Sequence, residues 1–219
     1  MSEARRAIGL YGGTFNPVHH AHLRLAEEAC DSLGLQEVRW IPAGWPPHRP
    51  PPEVSGAQRL AMVRLAIADN PRFSLDSAEV DASTRSYTVH TLQRLRAHFG
   101  PQQPLVLLLG ADAAAALTTW HQWPELFALA HLAIAERPGY ALDPAQLPSA
   151  LAAEFAQRAA PAEAVHKAPA GYVVHFPLTA LAISATGIRQ ALAAGQSVRY
   201  LLPQKLVDYI RAHSLYTSL

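Results

Sequence analysis

The chain reads as an α/β protein, a largely parallel sheet flanked by helices with a small C-terminal helical part. Three observations carry that reading. Short apolar runs alternate with longer segments of helical periodicity, the order produced by strand–helix–strand crossovers. Leu105–Leu109 is apolar at every position, as in a central strand covered on both faces. The first apolar run ends in glycines and leads directly into a good helix former, Leu23–Ala29. At 219 residues the chain is long enough for a substantial core, and one domain over residues 1–219 is expected.

The strands expected from apolar runs of four to five residues are Ala7–Tyr11, Glu37–Ile41, Ser77–Val80, Leu105–Leu109, Leu132–Ala135 and Tyr172–Phe176. The helices expected from 3.6-residue periodicity are His22–Leu33, Ala57–Ala68, Tyr87–His98, Trp123–Ala130, Ala145–Ala159, Gly187–Ala194 and Pro203–His213. Pro42–Pro52, with six prolines around Trp45, His48 and Arg49, reads as a stiff surface connector. Arg137–Gly171 is rich in Ala and Pro and holds one helical piece, with no functional signal beyond Arg137.

Composition narrows the function. A net charge of +1 with scattered Lys and Arg argues against a nucleic-acid groove. No apolar run approaches the roughly 18 residues that a transmembrane helix needs. Met1–Arg6 leads straight into a strand pattern rather than a signal peptide, so a cytoplasmic protein is expected. The single cysteine, Cys30, cannot form an intramolecular disulfide and reads as a small buried apolar residue. Of eleven histidines, His19, His20 and His22 make the one tight cluster.

That cluster follows the glycines of strand one. Gly12, Gly13, Thr14 and Phe15 sit where α/β proteins bind phosphate, because glycine lets backbone N–H groups approach an anion and a helix N-terminus adds partial positive charge. Histidine can donate to phosphate oxygens. The spacing of His19 and His22 puts both on one face if the helix has begun by then. The alternative is a pair of capping or core histidines, which the glycine loop disfavours. A zinc reading of His19 and His22 lacks a companion Cys or His pair. Neither Gly-x-Gly-x-x-Gly nor Gly-x-x-x-x-Gly-Lys-Ser/Thr occurs after strand one, which disfavours dehydrogenase-type and P-loop sites. A second constellation, Ile183–Arg189, offers Ser184 and Thr186 as N-cap types and Arg189 in the first turns of a helix. It is either a second anion site or an ordinary capped surface helix. Gly110–Asp112 follows the central strand at the same sheet edge.

Gly12–His22 resembles the Gly-x-Phe-x-Pro-x-His-x-Gly-His signature of the nucleotidyltransferase superfamily, and Ile183–Arg189 resembles its Ile-Ser-Ser-Thr-x-Ile-Arg signature. Within it the chain is most similar to the bacterial nicotinate-nucleotide adenylyltransferases. Supporting matches, in the family's order, are Pro46–Arg49, Ser86–Thr88, Gly110–Asp112, Thr119–Trp120 and Arg137–Gly139. Three positions depart from the pattern: Asn16 stands where aspartate is common, Ala21 replaces a glycine and Ala185 replaces a serine.

The resemblance implies a Rossmann-like fold and in-line transfer of AMP from ATP to nicotinate mononucleotide, giving deamido-NAD and pyrophosphate without a covalent intermediate. It implies ATP contacts for Gly12, Gly13, Thr14, Phe15, His19, His22, Asp112, Ser184, Thr186 and Arg189, with His19, His22 and Arg189 catalytic. It implies acceptor contacts for Asn16, His48, Ser86, Tyr87, Thr88, Trp120, His121 and Arg137. Trp120 would stack on the pyridine ring, and backbone N–H groups near Thr88 and His121 would hold its carboxylate. The bland alternatives are a helix-capping Asp112, a core Trp120 and a surface Arg137. Magnesium is expected on the triphosphate through phosphate oxygens and water, with no protein ligand. The expected partners are ATP and nicotinate mononucleotide, with no nucleic acid and no membrane; oligomeric state, a homo-oligomer included, stays open.

Overall fold

The computed structural model describes residues 6–44, 54–82, 85–136 and 142–217. Six strands, β1 (Ile8–Gly13), β2 (Glu37–Pro42), β3 (Phe73–Leu75), β4 (Leu105–Gly110), β5 (His131–Glu136) and β6 (Val173–Pro177), form one sheet in the order β3-β2-β1-β4-β5-β6. Every pairing is parallel, for example Ile8 opposite both Glu37 and Leu105. The strand order reverses direction between β1 and β4. In open parallel sheets the crevice outside the carboxyl ends at that reversal is where ligands bind.

Helices cover both faces. On one, α1 (His20–Leu33), α2 (Gly56–Ile67), α8 (Ala185–Ala193) and α9 (Gln204–Ala212) pack through Ala26, Ala29, Met62, Val63, Ile188, Leu206 and Ile210. On the other, α4 (Thr88–Phe99), α6 (Leu126–Leu129) and α7 (Ser149–Arg158) pack through Leu92, Leu95, Leu126, Phe127 and Leu151. α8 and α9 are the expected C-terminal helical part. Alternate residues of β1 serve the two cores, Leu10 toward the second and Tyr11 toward the first, which is why no polar residue interrupts the run.

The expectation of a strand at Ser77–Val80 is corrected. The third strand is Phe73–Leu75, and Ala78–Asp81 is a helical turn, α3. Asp76 Oδ1 accepts from the Ala78 N–H at 3.1 Å, and Ser77 Oγ donates to Asp81 Oδ2 at 2.6 Å. These local side-chain bonds favour a turn over a ladder. Prolines correct two helices: Trp123–Ala130 splits into a 3₁₀ turn at Trp123–Glu125 and α6, and the segment from Ala145 becomes a 3₁₀ turn followed by α7, with Pro148 at the N-cap. α5 (Ala111–Ala115), unexpected from the sequence, follows β4 directly.

The Arg137–Gly171 stretch has a structural use that its composition does not announce. His166 Nδ1 accepts from the Ala7 N–H at 3.3 Å while Nε2 lies 2.9 Å from the Leu33 carbonyl, tying the start of β1 to the end of α1. Among the described residues no helix is long and apolar enough to cross a membrane.

Candidate active site

The crevice is framed by Gly12 at the end of β1 and Gly110 at the end of β4; a Cβ built on either meets nothing within 4 Å. Gly13 differs. A Cβ there would lie 2.9 Å from the Phe15 ring, so Gly13 makes room for the protein's own core, whereas Gly12 leaves room in front of it. Phe15 holds φ +47° although it is not glycine, and it is only 3% exposed. Its ring packs on Tyr11 at 5.4 Å, Trp40 at 5.2 Å and His22 at 5.2 Å, and this packing sustains the left-handed backbone of the turn. Phe15 therefore acts from beneath the loop.

His19 is the N-cap of α1 and His22 its third residue, with the rings stacked at 3.7 Å. The His19 backbone N–H donates to His22 Nδ1 at 3.2 Å, so the neutral His22 ring carries its proton on Nε2. Burial, and then the His19 ring beside it, push the His22 pKa down to about 3. The resting site thus holds a neutral imidazole N–H donor. His20, at the first helical position, gives its backbone N–H to the Leu201 carbonyl at 3.1 Å, so this orphan donor of the helix start is taken by the protein. What α1 offers an anion is its dipole and the histidine side chains.

The second constellation meets the first. Ser184 is the N-cap of α8, its Oγ accepting from the Gly187 N–H at 3.1 Å. Arg189 Nη1 donates to the Asn16 carbonyl at 2.8 Å, and Nη2 lies 3.3 Å from Thr186 Oγ1. Residues 173 positions apart in sequence thus share one corner. The Asn16 side chain is held as well: Tyr216 Oη donates to Asn16 Oδ1 at 2.6 Å. Asparagine keeps the acceptor that aspartate would supply there and drops its charge. Across the crevice, Asp112 sits exposed in the first turn of α5.

The residues expected to hold an acceptor follow β3 and β4 in the chain. Tyr87 is the N-cap of α4 and Thr88 its first residue; Trp120 and His121 follow the 3₁₀ turn Leu117–Thr119. Their two segments meet at the rings of Tyr87 and His121, 4.7 Å apart. Neither the Thr88 nor the His121 N–H has a backbone acceptor among the described residues. Trp120 is partly buried against the second core, which combines the core and binding readings. Glu79 accepts from Thr91 Oγ1 at 2.6 Å, and the buried Ser86 Oγ has no hydrogen-bond partner among the described residues. Burial raises the Glu79 pKa against the Thr91 hydroxyl. His48 and Arg137 lie outside the described residues.

Sequence reasoning missed Arg59, Tyr216 and His90. Arg59, on α2, is 1% exposed and donates from Nη1 to the Thr14 carbonyl at 2.7 Å and from Nη2 to the Gly44 carbonyl at 2.9 Å. His90 joins the acceptor rings, 5.7 Å from His121. Arg59 was legible in principle, because it precedes Met62 and Val63 by three and four positions and so shares their buried helix face. Tyr216 has no local signal.

The cytidylyltransferase-like family model matches residues 10–191, from β1 into α8. A "Probable nicotinate-nucleotide adenylyltransferase" of Dechloromonas aromatica is 59% identical over 212 residues, covering 96% of this chain and 98% of that relative. One from Laribacter hongkongensis is 47% identical over 98% of this chain and 96% of the relative. In fold the chain is similar to Plasmodium falciparum nicotinic acid mononucleotide adenylyltransferase complexed with NaAD, at TM-score 0.72 and 18% identity over 98% of this chain and 99% of that one. With the family model matched over residues 10–191 and whole-length similarity to these relatives, the chain belongs to the nicotinate-nucleotide adenylyltransferase family of cytidylyltransferase-like proteins.

Proposed function

We propose that the protein transfers AMP from ATP to nicotinate mononucleotide, giving deamido-NAD and pyrophosphate. The single observation that carries this is the meeting of the two sequence motifs at the strand-order reversal, where Arg189 donates to the Asn16 carbonyl beside Thr186; Tyr87, Thr88, Trp120 and His121 are read as the acceptor corner. A phosphate oxygen of the acceptor attacks the α-phosphorus of ATP. A P–O bond forms, the α-phosphorus–bridging oxygen bond breaks, and pyrophosphate leaves with that electron pair.

The attacking oxygen is already anionic, so no general base is needed. His22 donates from Nε2 to a non-bridging α-phosphate oxygen, where charge grows, and His19 supports it. A phosphate beside His22 works against the burial that keeps the ring neutral and draws it toward the charged form. Arg189, with Thr186 and Ser184, takes the β- and γ-phosphates. Gly12 allows close approach of the nucleotide, and Asp112 accepts from the ribose hydroxyls. Trp120 stacks on the pyridine ring, and the Thr88 and His121 N–H groups hold its carboxylate. The rate then comes from positioning and charge stabilisation.

The described residues contain no group of three or more His, Cys, Asp or Glu that could hold a metal ion. Magnesium carried on ATP by phosphate oxygens and water would neutralise the leaving pyrophosphate. The reaction is proposed to run in the cytoplasm.

The test is pyrophosphate release with magnesium-ATP against nicotinate mononucleotide, nicotinamide mononucleotide and phosphopantetheine in parallel. Strong preference for the first is expected. Preference for another acceptor overturns the carboxylate site at Thr88 and His121 while keeping the chemistry, and no turnover with any of them overturns the enzyme reading.

A further inference from the structure

Arg59 is among the largest fully buried side chains of the protein and makes no ion pair among the described residues. Its hydrogen bonds go to two neutral carbonyls, of Thr14 and Gly44, and its Nε has no partner among the described residues. A buried cation without a counter-charge is strongly unfavourable, and buried arginines are ordinarily paired. The carbonyls it holds end the β1 and β2 turns: Thr14 opens the nucleotide loop, and Gly44 sits so close to Glu79 that a Cβ there would lie 1.8 Å from its carbonyl oxygen. The other end of the same loop, Asn16, is gripped by Arg189 and Tyr216, and Tyr216 lies within electrostatic reach of both arginines. The loop that meets the triphosphate is therefore fixed at both ends, with a buried positive charge behind it that meets no acidic side chain among the described residues.

We propose that Arg59 is a positioning residue for adenylyl transfer. Its fork sets the Thr14 carbonyl relative to Gly44, and its charge, without an acidic partner among the described residues, is met by the triphosphate of ATP when this enters in front of the loop. The empty protein carries the electrostatic strain and the nucleotide relieves it, so ligand-free stability and ATP affinity respond to Arg59 in opposite directions. A merely structural arginine would move them together.

This inference rests on the reading of Thr14–Asn16 as the nucleotide loop. Turnover of the unaltered enzyme with magnesium-ATP and nicotinate mononucleotide, run alongside, tests that reading by itself. Arg59→Gln and Arg59→Lys are compared with the unaltered protein by calorimetric titration with magnesium-ATP, by steady-state kinetics and by thermal unfolding without nucleotide. R59Q is expected to weaken ATP binding about tenfold to a hundredfold while its ligand-free unfolding midpoint holds or rises. R59K keeps the charge and loses the fork, so ATP binding within about threefold of the unaltered protein with a lowered kcat is expected. ATP affinity unchanged in folded R59Q overturns the proposal, as does a midpoint that falls in step with affinity. Should R59Q not fold, R59K decides: kcat and KM for ATP equal to those of the unaltered enzyme mean that the fork positions nothing.

Discussion

The two halves of the site are built in opposite ways. On the proposed nucleotide side several polar groups are committed to the protein: the Thr14 carbonyl to Arg59, Asn16 to Arg189 and Tyr216, the His20 N–H to Leu201, and His22 Nδ1 to the His19 backbone. On the acceptor side the rings of Tyr87, His90 and His121 touch one another at the surface, and the backbone donors at Thr88 and His121 are left without backbone partners among the described residues. The difference follows from what each half must do. Charge develops at the α-phosphorus during the reaction, and donors stabilise it best when they need not reorganise. Under the proposed assignment the other half recognises a pyridine carboxylate, which requires groups still free to bind.

The largest test of that contrast is His22→Ala. Loss of an oriented donor at the reacting phosphorus should lower kcat by about a hundredfold to a thousandfold with a small change in KM for the acceptor, measured by pyrophosphate release. An equal loss spread over both KM values would erase the distinction between the halves.

Gly13→Ala and Gly12→Ala separate packing from approach within the nucleotide half. The Cβ at Gly13 collides with Phe15, so G13A should lose about 1–3 kcal/mol of stability in urea unfolding. G12A meets open space and should fold with nearly unaltered stability while raising KM for ATP. Matching effects in the two variants would refute the assignment of different tasks to the two glycines.

Acid should weaken the fold through His22. The folded-state pKa of His22 is depressed, to about 3, so the unfolded chain binds the proton first as pH falls below about 6.5. Stability is then lost by about 1.4 kcal/mol per pH unit for this group between pH 6.5 and 3, and no more is lost below that. Burial depresses the fully buried His131 in the same direction. Urea midpoints from pH 7 to pH 4 should fall more steeply in the unaltered protein than in His22→Asn. Parallel slopes would show that His22 charges freely in the folded protein.

The smallest effect is expected from Trp120→Ala, which removes one stacking face: about a tenfold rise in KM for nicotinate mononucleotide with KM for ATP nearly constant. A rise confined to ATP would exchange the two halves.

Much of this architecture can be read before any coordinates. Five of the six strands stand out as short apolar-rich segments, most clearly Leu105–Leu109, which a parallel sheet covered on both faces leaves without a polar residue. β3 escapes because an edge strand of three residues has no period to detect, and Ser77–Val80 offers a false alternation that Asp76 and Ser77 convert into a turn. The glycine–histidine loop and Ile183–Arg189 are visible as motifs, yet their meeting through Arg189 and Asn16 is a tertiary fact with no local trace. The start of α1 is misjudged by two residues because histidine is not a habitual cap. Arg59 looks like a solvated helix residue until its spacing to Met62 and Val63 is weighed.

The bond from Tyr216 to Asn16 spans 200 positions in the sequence, and the one from Leu201 to His20 nearly as many. Contacts this remote repay the entropy of closing a long loop only after the intervening chain is already ordered. The order of assembly is thereby constrained. The sheet and its first helices can form while the phosphate-facing turn is still unfastened, and the turn takes its working shape only when the last two helices dock. A nascent or partly unfolded chain would then present a nearly complete sheet but a slack grip on ATP.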